Sequence, residues 1–252
     1  PNGNVAISLS GAVDGSVTDG NIEAGFDLFG NKETTDVSLI ITGDVSSTVQ
    51  NYVITTIAAT RGDCVAFISP PGYNGGTFAG AGTVINNIGN ETAAISTWLG
   101  NLGTSSSFAV ADSGWKYQYD KYNNVYRWIP LNADVAGLCV YTDTVRDPWF
   151  SPAGLNRGQI KNCIKLSWNP NKTQRDTIYA QGVNPVVTFP GNGTVLFGDK
   201  TLQSKPSAFD RINVRRLFVV LEKAIAQAAK YSLFELNDEF TRRSEEHTSE
   251  LQ

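Results

Sequence analysis

Apolar positions along this chain come in two rhythms. Short unbroken runs rich in β-branched residues, VSLIITG at 37–43 and CVAFISPP at 64–71, followed by SSFAVADSG at 106–114, predict strands buried on both faces. Between the first two runs, SSTVQNYVITTIAATRG puts Val49, Tyr52, Val53, Ile57 and Ala58 on one helical face. Ser46 or Ser47 serves as its N-cap and Gly62 lies near its C-cap. Between the second and third runs a helix is predicted from about Val84 to Leu102, carrying Ile85, Ile88, Ile95, Trp98 and Leu99. Strands alternating with helices in this order predict an α/β fold with a largely parallel sheet covered by helices.

The flanking segments read differently. Residues 1–34 are rich in Gly, Asp, Asn and Ser and predict loop, with a short helix at IEAGFDLF. WKYQYDKYNNVYRWIPLN alternates Trp115, Tyr117 and Tyr119 with polar residues, turns at Asn123-Asn124, and alternates again through Tyr126 and Trp128. That is a hairpin with one aromatic face. Aromatics interleaved with Lys and Arg suit base stacking, but an acidic chain favours packing, either within the subunit or against a neighbour. A helix is expected from Asn132 or Asp134 until Pro148 and Pro152 break it; IKLSWN reads as a strand, and PVVTFPGNGTVLFGDKTL as strand, turn and strand. In INVRRLFVVLEKAIAQAAKYSLFEL, Val214, Leu217, Phe218, Leu221, Ile225 and Ala228 form an apolar stripe, so this helix is expected to bury that face. Asn213 or Asp210 would cap it, and Arg215, Arg216, Glu222, Lys223 and Gln227 fall on the opposite face.

Composition narrows the function. Of 252 residues 41% are hydrophobic, enough for a real core, and the net charge of -4 argues against nucleic-acid binding. No run approaches the ~18 apolar residues of a helical membrane span. Cys64, Cys139 and Cys163 have no paired spacing and are expected as buried reduced thiols. The sequons at Asn90, Asn171 and Asn192, and the tripeptide Arg61-Gly62-Asp63, carry little weight alone. The glycine-rich PPGYNGGTFAGAG fits neither GxxxxGK[ST] nor a well-placed GxGxxG, and reads as a surface loop. Asp112, Asp120, Asp134 and Asp143 are better explained as turn and cap residues than as acids or bases. No catalytic, cofactor-binding or metal-ligating set emerges, and a hydrolase reading lacks a GxSxG elbow.

The last stretch, RSEEHTSELQ at 243–252, is set apart. One frame of a common sequencing-library adapter, AGA TCG GAA GAG CAC ACG TCT GAA CTC CAG, translates to these residues in order, so the segment is expected to be adapter-derived. It holds the sole histidine, His247; without its one Arg and three Glu the net charge moves from -4 to -2. A histidine-free chain runs no Ser-His-Asp mechanism and builds no His-containing zinc site. With Pro1 first and no Met anywhere, the natural chain is expected to be cut at both ends.

From Lys116 to Arg242 the chain resembles the tail sheath protein of phages with contractile tails. The resemblance rests on KYQYDKYNNVYRWIPLNADVAGLC, SPAGLNRGQI, GDKT and FDRINVRRLF with LEKAI and AKYSLFELNDEFTR; LSGAVDG near the start is similar to the family's L-x-G-G-x-D-G, with Ala12 for the second Gly. The resemblance implies a three-layer α/β/α sandwich with a mostly parallel sheet, likened to subtilisin without its catalytic residues. In that frame residues 1–34 are an incoming loop-rich segment, 35–205 the sheath α/β domain, and 206–242 the start of an α+β C-terminal sheath domain. It implies a virion structural subunit, made in the host bacterial cytoplasm, that stacks with copies of itself as hexameric rings around a tail tube. Contraction of the sheath would drive the tube through the host envelope. Baseplate and tail terminator proteins would be further partners, without cofactor, nucleic acid or membrane insertion. A bacteriocin or secretion-system sheath is the alternative, and an α/β hydrolase-type enzyme a more distant one. Arg215, Arg216 and Lys223 are candidates for a subunit or tube interface; Tyr117, Tyr119, Tyr126, Trp128 and Arg157 are candidates for structural packing. Residues 1–242 alone are not expected to assemble a sheath.

Overall fold

Two-sided burial of short strands lays out the domain. The computed structural model describes residues 15–74, 77–78 and 89–234, with 236, 239 and 243 singly. The expectations for LSGAVDG, for Val84, Ile85 and Ile88, for most of the glycine-rich loop and for the adapter-like tail with His247 lie outside these residues.

The chain enters through α1 (Asp19–Asp27), one turn earlier than IEAGFDLF suggests, because Thr18 forms a capping box with Asn21. After β1 (Leu39–Ile41), the Ser46 hydroxyl accepts the Val49 N–H and starts α2 (Ser47–Tyr52). The helix runs on through a π-helical stretch (Val53–Ala58) into α3 (Ala59–Arg61), and Gly62 ends it at φ +74, a left-handed position suited to glycine. β2 (Val65–Ile68) leads to a small antiparallel pair, β3 (Tyr73–Asn74) and β4 (Thr77–Phe78). Then come α4 (Glu91–Leu102) and β5 (Ala109–Asp112). β6 (Trp115–Asp120) and β7 (Val125–Pro130) form the expected hairpin around Asn124, which sits at φ +54. α5 (Asn132–Val145) follows, then β8 (Lys165–Leu166), antiparallel to β6. The C-terminal part holds α6 (Lys172–Ala180), β9 (Val183–Asn184), the hairpin of β10 (Val186–Phe189) and β11 (Gly193–Leu196), and α7 (Ile212–Ala229).

The main sheet has the order β1-β2-β5-β9, every neighbour parallel. Its side chains alternate between two apolar clusters, as a pleated strand requires. Ala66, Ile68, Ala109 and Ala111 join Val53, Ile57, Ile95, Trp98 and Ile178, the face of α2, α4 and α6. Val65, Phe67 and Val110 join Val135, Leu138, Ile212 and Val219, the face of α5 and α7. The predicted α/β class with a mostly parallel sheet is therefore the observed one, with helices on both faces.

Some expectations need correction. Among the described residues β1 is an edge strand with one neighbour, and Ile40 is buried while Ile41 is 45% exposed. The apolar pattern does not announce α6 and β9, because 170–184 has no strong apolar period; the cue for α6 is Asn171 three residues before Gln174, whose reciprocal hydrogen bonds start the helix. Cys64 and Cys139 are buried free thiols as expected, but Cys163 is only half-buried. Arg61 of the RGD tripeptide has its guanidinium inside the domain, donating to Thr35 O at 2.9 Å and pairing with Asp63 at 2.8 Å. It fastens the incoming segment to the end of α3. Replacing the α6 cap, Asn171→Ala, is expected to cost about 1 kcal/mol, read as a lower denaturant midpoint with an unchanged slope.

Candidate functional site

Parallel α/β sheets commonly place chemistry at the carboxyl ends of their strands. Here that place holds Ser69, just past β2, and Asp112, at the end of β5, both about 1% exposed. Ser69 Oγ donates to Asp112 Oδ2 at 2.6 Å and accepts the Asn132 N–H at 2.9 Å. Asp112 Oδ1 also accepts the Gly114 N–H. The network ties two strand ends to the first turn of α5, whose N–H groups have no intrahelical acceptor. Burial pushes the Asp112 carboxyl up to about 8, against the pull of Ser69 and Gly114. No exposed nucleophile belongs to this knot, and no group of His, Cys, Asp or Glu among the described residues is arranged to hold a metal ion. Asp112 and Asp120 have the expected turn roles, Asp120 accepting the Tyr122 and Asn123 N–H groups. Asp134 and Asp143 are instead ion-pair partners, of Lys116 and Arg216.

α7 is rotated from its expected pose. Its buried residues are Ile212, Arg216 and Val219, while Phe218 is 46% and Ile225 60% exposed. The N-cap is Arg211, without a side-chain cap bond, rather than Asp210 or Asn213. The cations expected on the outer face turn inward. Arg216 pairs with Asp143 of α5 and donates to Cys139 O. Arg215 donates to Ser107 Oγ at 2.6 Å and lies 4.1 Å from the ring centres of Phe108 and Phe209, and its burial lowers its basicity. Lys223 donates to Asp36 at 2.6 Å and to Val37 O at 2.9 Å. The hydrogen bond from Lys223, reinforced by its charge, holds the Asp36 carboxyl below its usual range. The physical reason for the rotation is that α5 and the β1 entry offer carboxylates and carbonyls, which suit a cationic face better than an apolar stripe. All three predicted interface cations are thus engaged within the chain.

The predicted packing aromatics do come together. Tyr117 stacks on Tyr126 at 5.6 Å and meets Trp128 at 4.9 Å, and Tyr119 meets Tyr126 at 5.1 Å. The face is open rather than core: Tyr119 and Tyr126 are about half exposed, and Lys165 lies over Tyr117 and Trp128. Arg157 sits apart from them, its Nε donating to Ser151 O at 2.9 Å and its guanidinium 5.5 Å from the Phe150 ring.

Residues 15–202 match the family of the phage tail sheath protein central domain. The chain belongs to the phage tail sheath protein family. The tail sheath protein of Vibrio phage KVP40 is 50% identical over 232 residues, 87% of this sheath chain and 34% of that protein. That of Enterobacteria phage T4 is 46% identical over 247 residues, 94% of this chain and 37% of that protein. The sheath chain therefore spans about a third of the length of these curated relatives. Among solved structures, the helical sheath of the anti-feeding prophage in its contracted state has a TM-score of 0.67 at 19% identity, covering 95% of this chain and 59% of that one. At that identity the likeness is one of fold. The relatives are structural proteins rather than enzymes, in accord with the absence of a catalytic set from the sequence reading.

Two outcomes follow from the sheath chain's geometry. Arg216→Ala removes a buried guanidinium from between Cys139 O and the exposed Asp143 and is expected to cost about 1–2 kcal/mol, mostly as lost packing and hydrogen bonding, whereas Ile225→Lys is expected to stay within about 0.5 kcal/mol; urea unfolding of both variants checks the contrast. Asp112 holds a proton when folded that it releases when unfolded, so its contribution is full below about pH 4 and is lost as pH rises through about 8. Asp112→Asn should therefore flatten the fall in unfolding midpoint between pH 5 and pH 8, read from denaturation curves at both ends.

Proposed function

We propose that this chain is the central body of a contractile tail sheath subunit. In this reading it stacks with copies of itself as hexameric rings around a tail tube, engages baseplate and terminator proteins at the ends, and works in the virion after synthesis in the host cytoplasm. Shortening of the array drives the tube through the host envelope. The supporting observation is the family match over 15–202, with tail sheath proteins 46–50% identical across most of the chain. The work comes from repacking of subunits between a metastable and a relaxed array, so no nucleotide or cofactor is needed.

The domain plan belongs to the same proposal: an incoming segment at 1–34, the sheath α/β domain at 35–205, and a C-terminal sheath domain opening at 206–242. α7 lies beyond the matched 15–202 and leaves Phe218, Leu221 and Ile225 partly exposed. We take that stripe as the seat of the C-terminal domain. Arg215, Arg216 and Lys223 then act as fasteners that hold the seat on the central domain, not as contacts to a tube or neighbour. Tyr117, Tyr119, Tyr126 and Trp128 stiffen the β6–β7 hairpin, and Arg157 braces the 151–158 loop.

The test is a chimaera in which this chain replaces the matching third of the Vibrio phage KVP40 sheath protein. Electron microscopy is expected to show regular helical sheaths that contract. A chimaera that folds, by circular dichroism, yet forms no sheath would contradict the reading.

A further inference from the structure

The cavity between α5 and the 156–161 turn, about 300 Å³ in volume, is lined by Asp134, Leu138, Tyr141, Arg157, Ile160 and Lys161, among others. Its one carboxylate, Asp134, is already neutralised by Lys116 at 2.7 Å. The two remaining cations are held but not paired. Arg157 is fixed through Nε to Ser151 O, and Lys161 lies 5.7 Å from the Tyr141 ring centre. Among the described residues neither has a carboxylate within ion-pair distance. A pre-positioned Arg and Lys over an apolar floor form a receptor for a carboxylate flanked by an aliphatic side chain.

The chain carries such a segment, on the opposite side of the sheet. Between 19 and 36 there are five carboxylates, Asp19, Glu23, Asp27, Glu33 and Asp36, against Lys32 alone. Glu23 and Glu33 make no ion pair among the described residues, the Asp27 carboxylate accepts only the neutral Tyr52 hydroxyl at 2.5 Å, and Leu28, next to Asp27, is 76% exposed. α1 packs through Ile22 and Phe26 on the cluster of α2 and α4, whereas Leu138 and Ile160 of the cavity belong to the cluster of α5 and α7. One copy therefore cannot fill its own cavity, because the sheet stands between the two surfaces.

We infer that the cavity receives the acidic 27–33 stretch of a second copy of this chain, a carboxylate entering between Arg157 and Lys161. The two surfaces differ and lie on opposite faces, so the contact is head-to-tail and repeats without closing unless the rotation happens to close it. That geometry suits a filament or stacked array, and the inference rests on the self-assembly reading above. Partly exposed charge pairs would make the contact salt-sensitive and reversible.

The experiment mixes ¹⁴N- and ¹⁵N-labelled chain, joins amine to carboxylate with a zero-length carbodiimide at low salt, and maps mixed-isotope peptides by mass spectrometry. The expected product links Lys161 of one copy to Asp27 or Glu33 of another. Its yield should fall about tenfold in Arg157→Glu, which leaves the Lys161 amine in place, and similarly at about 0.5 M salt. Combining Arg157→Glu with Glu33→Lys should restore inter-copy linking. Circular dichroism confirms that the variants fold, and Arg157→Glu is expected to lower the unfolding midpoint only slightly, through its lost bond to Ser151 O. Inter-copy links that avoid Lys161, or a Lys161 link indifferent to Arg157→Glu, would overturn the inference. Absence of any mixed-isotope link would overturn it too, while the chimaera above reports separately on the sheath reading.

Discussion

Burial of β2 and β5 on both faces is the constraint on which the rest of the domain depends. Neither strand exposes a side chain, so each face needs its own cover. The Ala66–Ile68 side is closed by α2, α4 and α6, the Val65–Phe67 side by α5 and α7. At roughly 25 cal/mol per Å² of buried apolar surface, this double cover is the dominant favourable term in folding. The Ser69–Asp112–Asn132 knot sits where the cover meets the strand ends. It satisfies the Ser69 hydroxyl and the Asn132 and Gly114 N–H groups there, and its cost is a carboxyl that stays protonated until about pH 8.

α7 carries the second lesson. A helix with a strong apolar stripe ordinarily buries it, yet this one turns its cations to the domain. Each cation finds an oxygen acceptor it would otherwise have to find in water, and Arg215 also lies over two phenyl rings. The arrangement fixes α7 by directional bonds at three points along its length and leaves Phe218, Leu221 and Ile225 facing out. In the proposed sheath, a helix tied on one side by ion pairs and on the other by apolar packing would couple two bodies without merging their cores.

Much of this was legible in the sequence. The continuous apolar runs marked β1, β2 and β5, Ser46 and Gly62 bracketed the helical run between the first two, and the aromatic alternation marked the β6–β7 hairpin. What failed did so for physical reasons. α6 is announced by a capping box rather than by apolar spacing, and β9 has two residues, too few for any period to show. Periodicity reports which residues of α7 share a face, not which face meets the core. The inward role of Arg61 does not show in its tripeptide, because Thr35 reaches its guanidinium only in the fold. The unpaired cations at the α5 cavity were invisible because Arg157 and Lys161 approach α5 only in the fold.

In the proposed sheath, the double-covered sheet would be the rigid centre, and the outward stripe of α7 and the charged cavity beside α5 would be the surfaces that exchange partners. The most direct measurement is a helical cryo-EM reconstruction, at side-chain resolution, of a sheath assembled from the chimaera that carries this chain. The expected map retains the Arg216–Asp143 pair and shows Phe218, Leu221 and Ile225 covered by protein. A map in which the stripe faces solvent while Arg216 and Lys223 reach a tube or neighbouring subunit would contradict this assignment of the faces of α7.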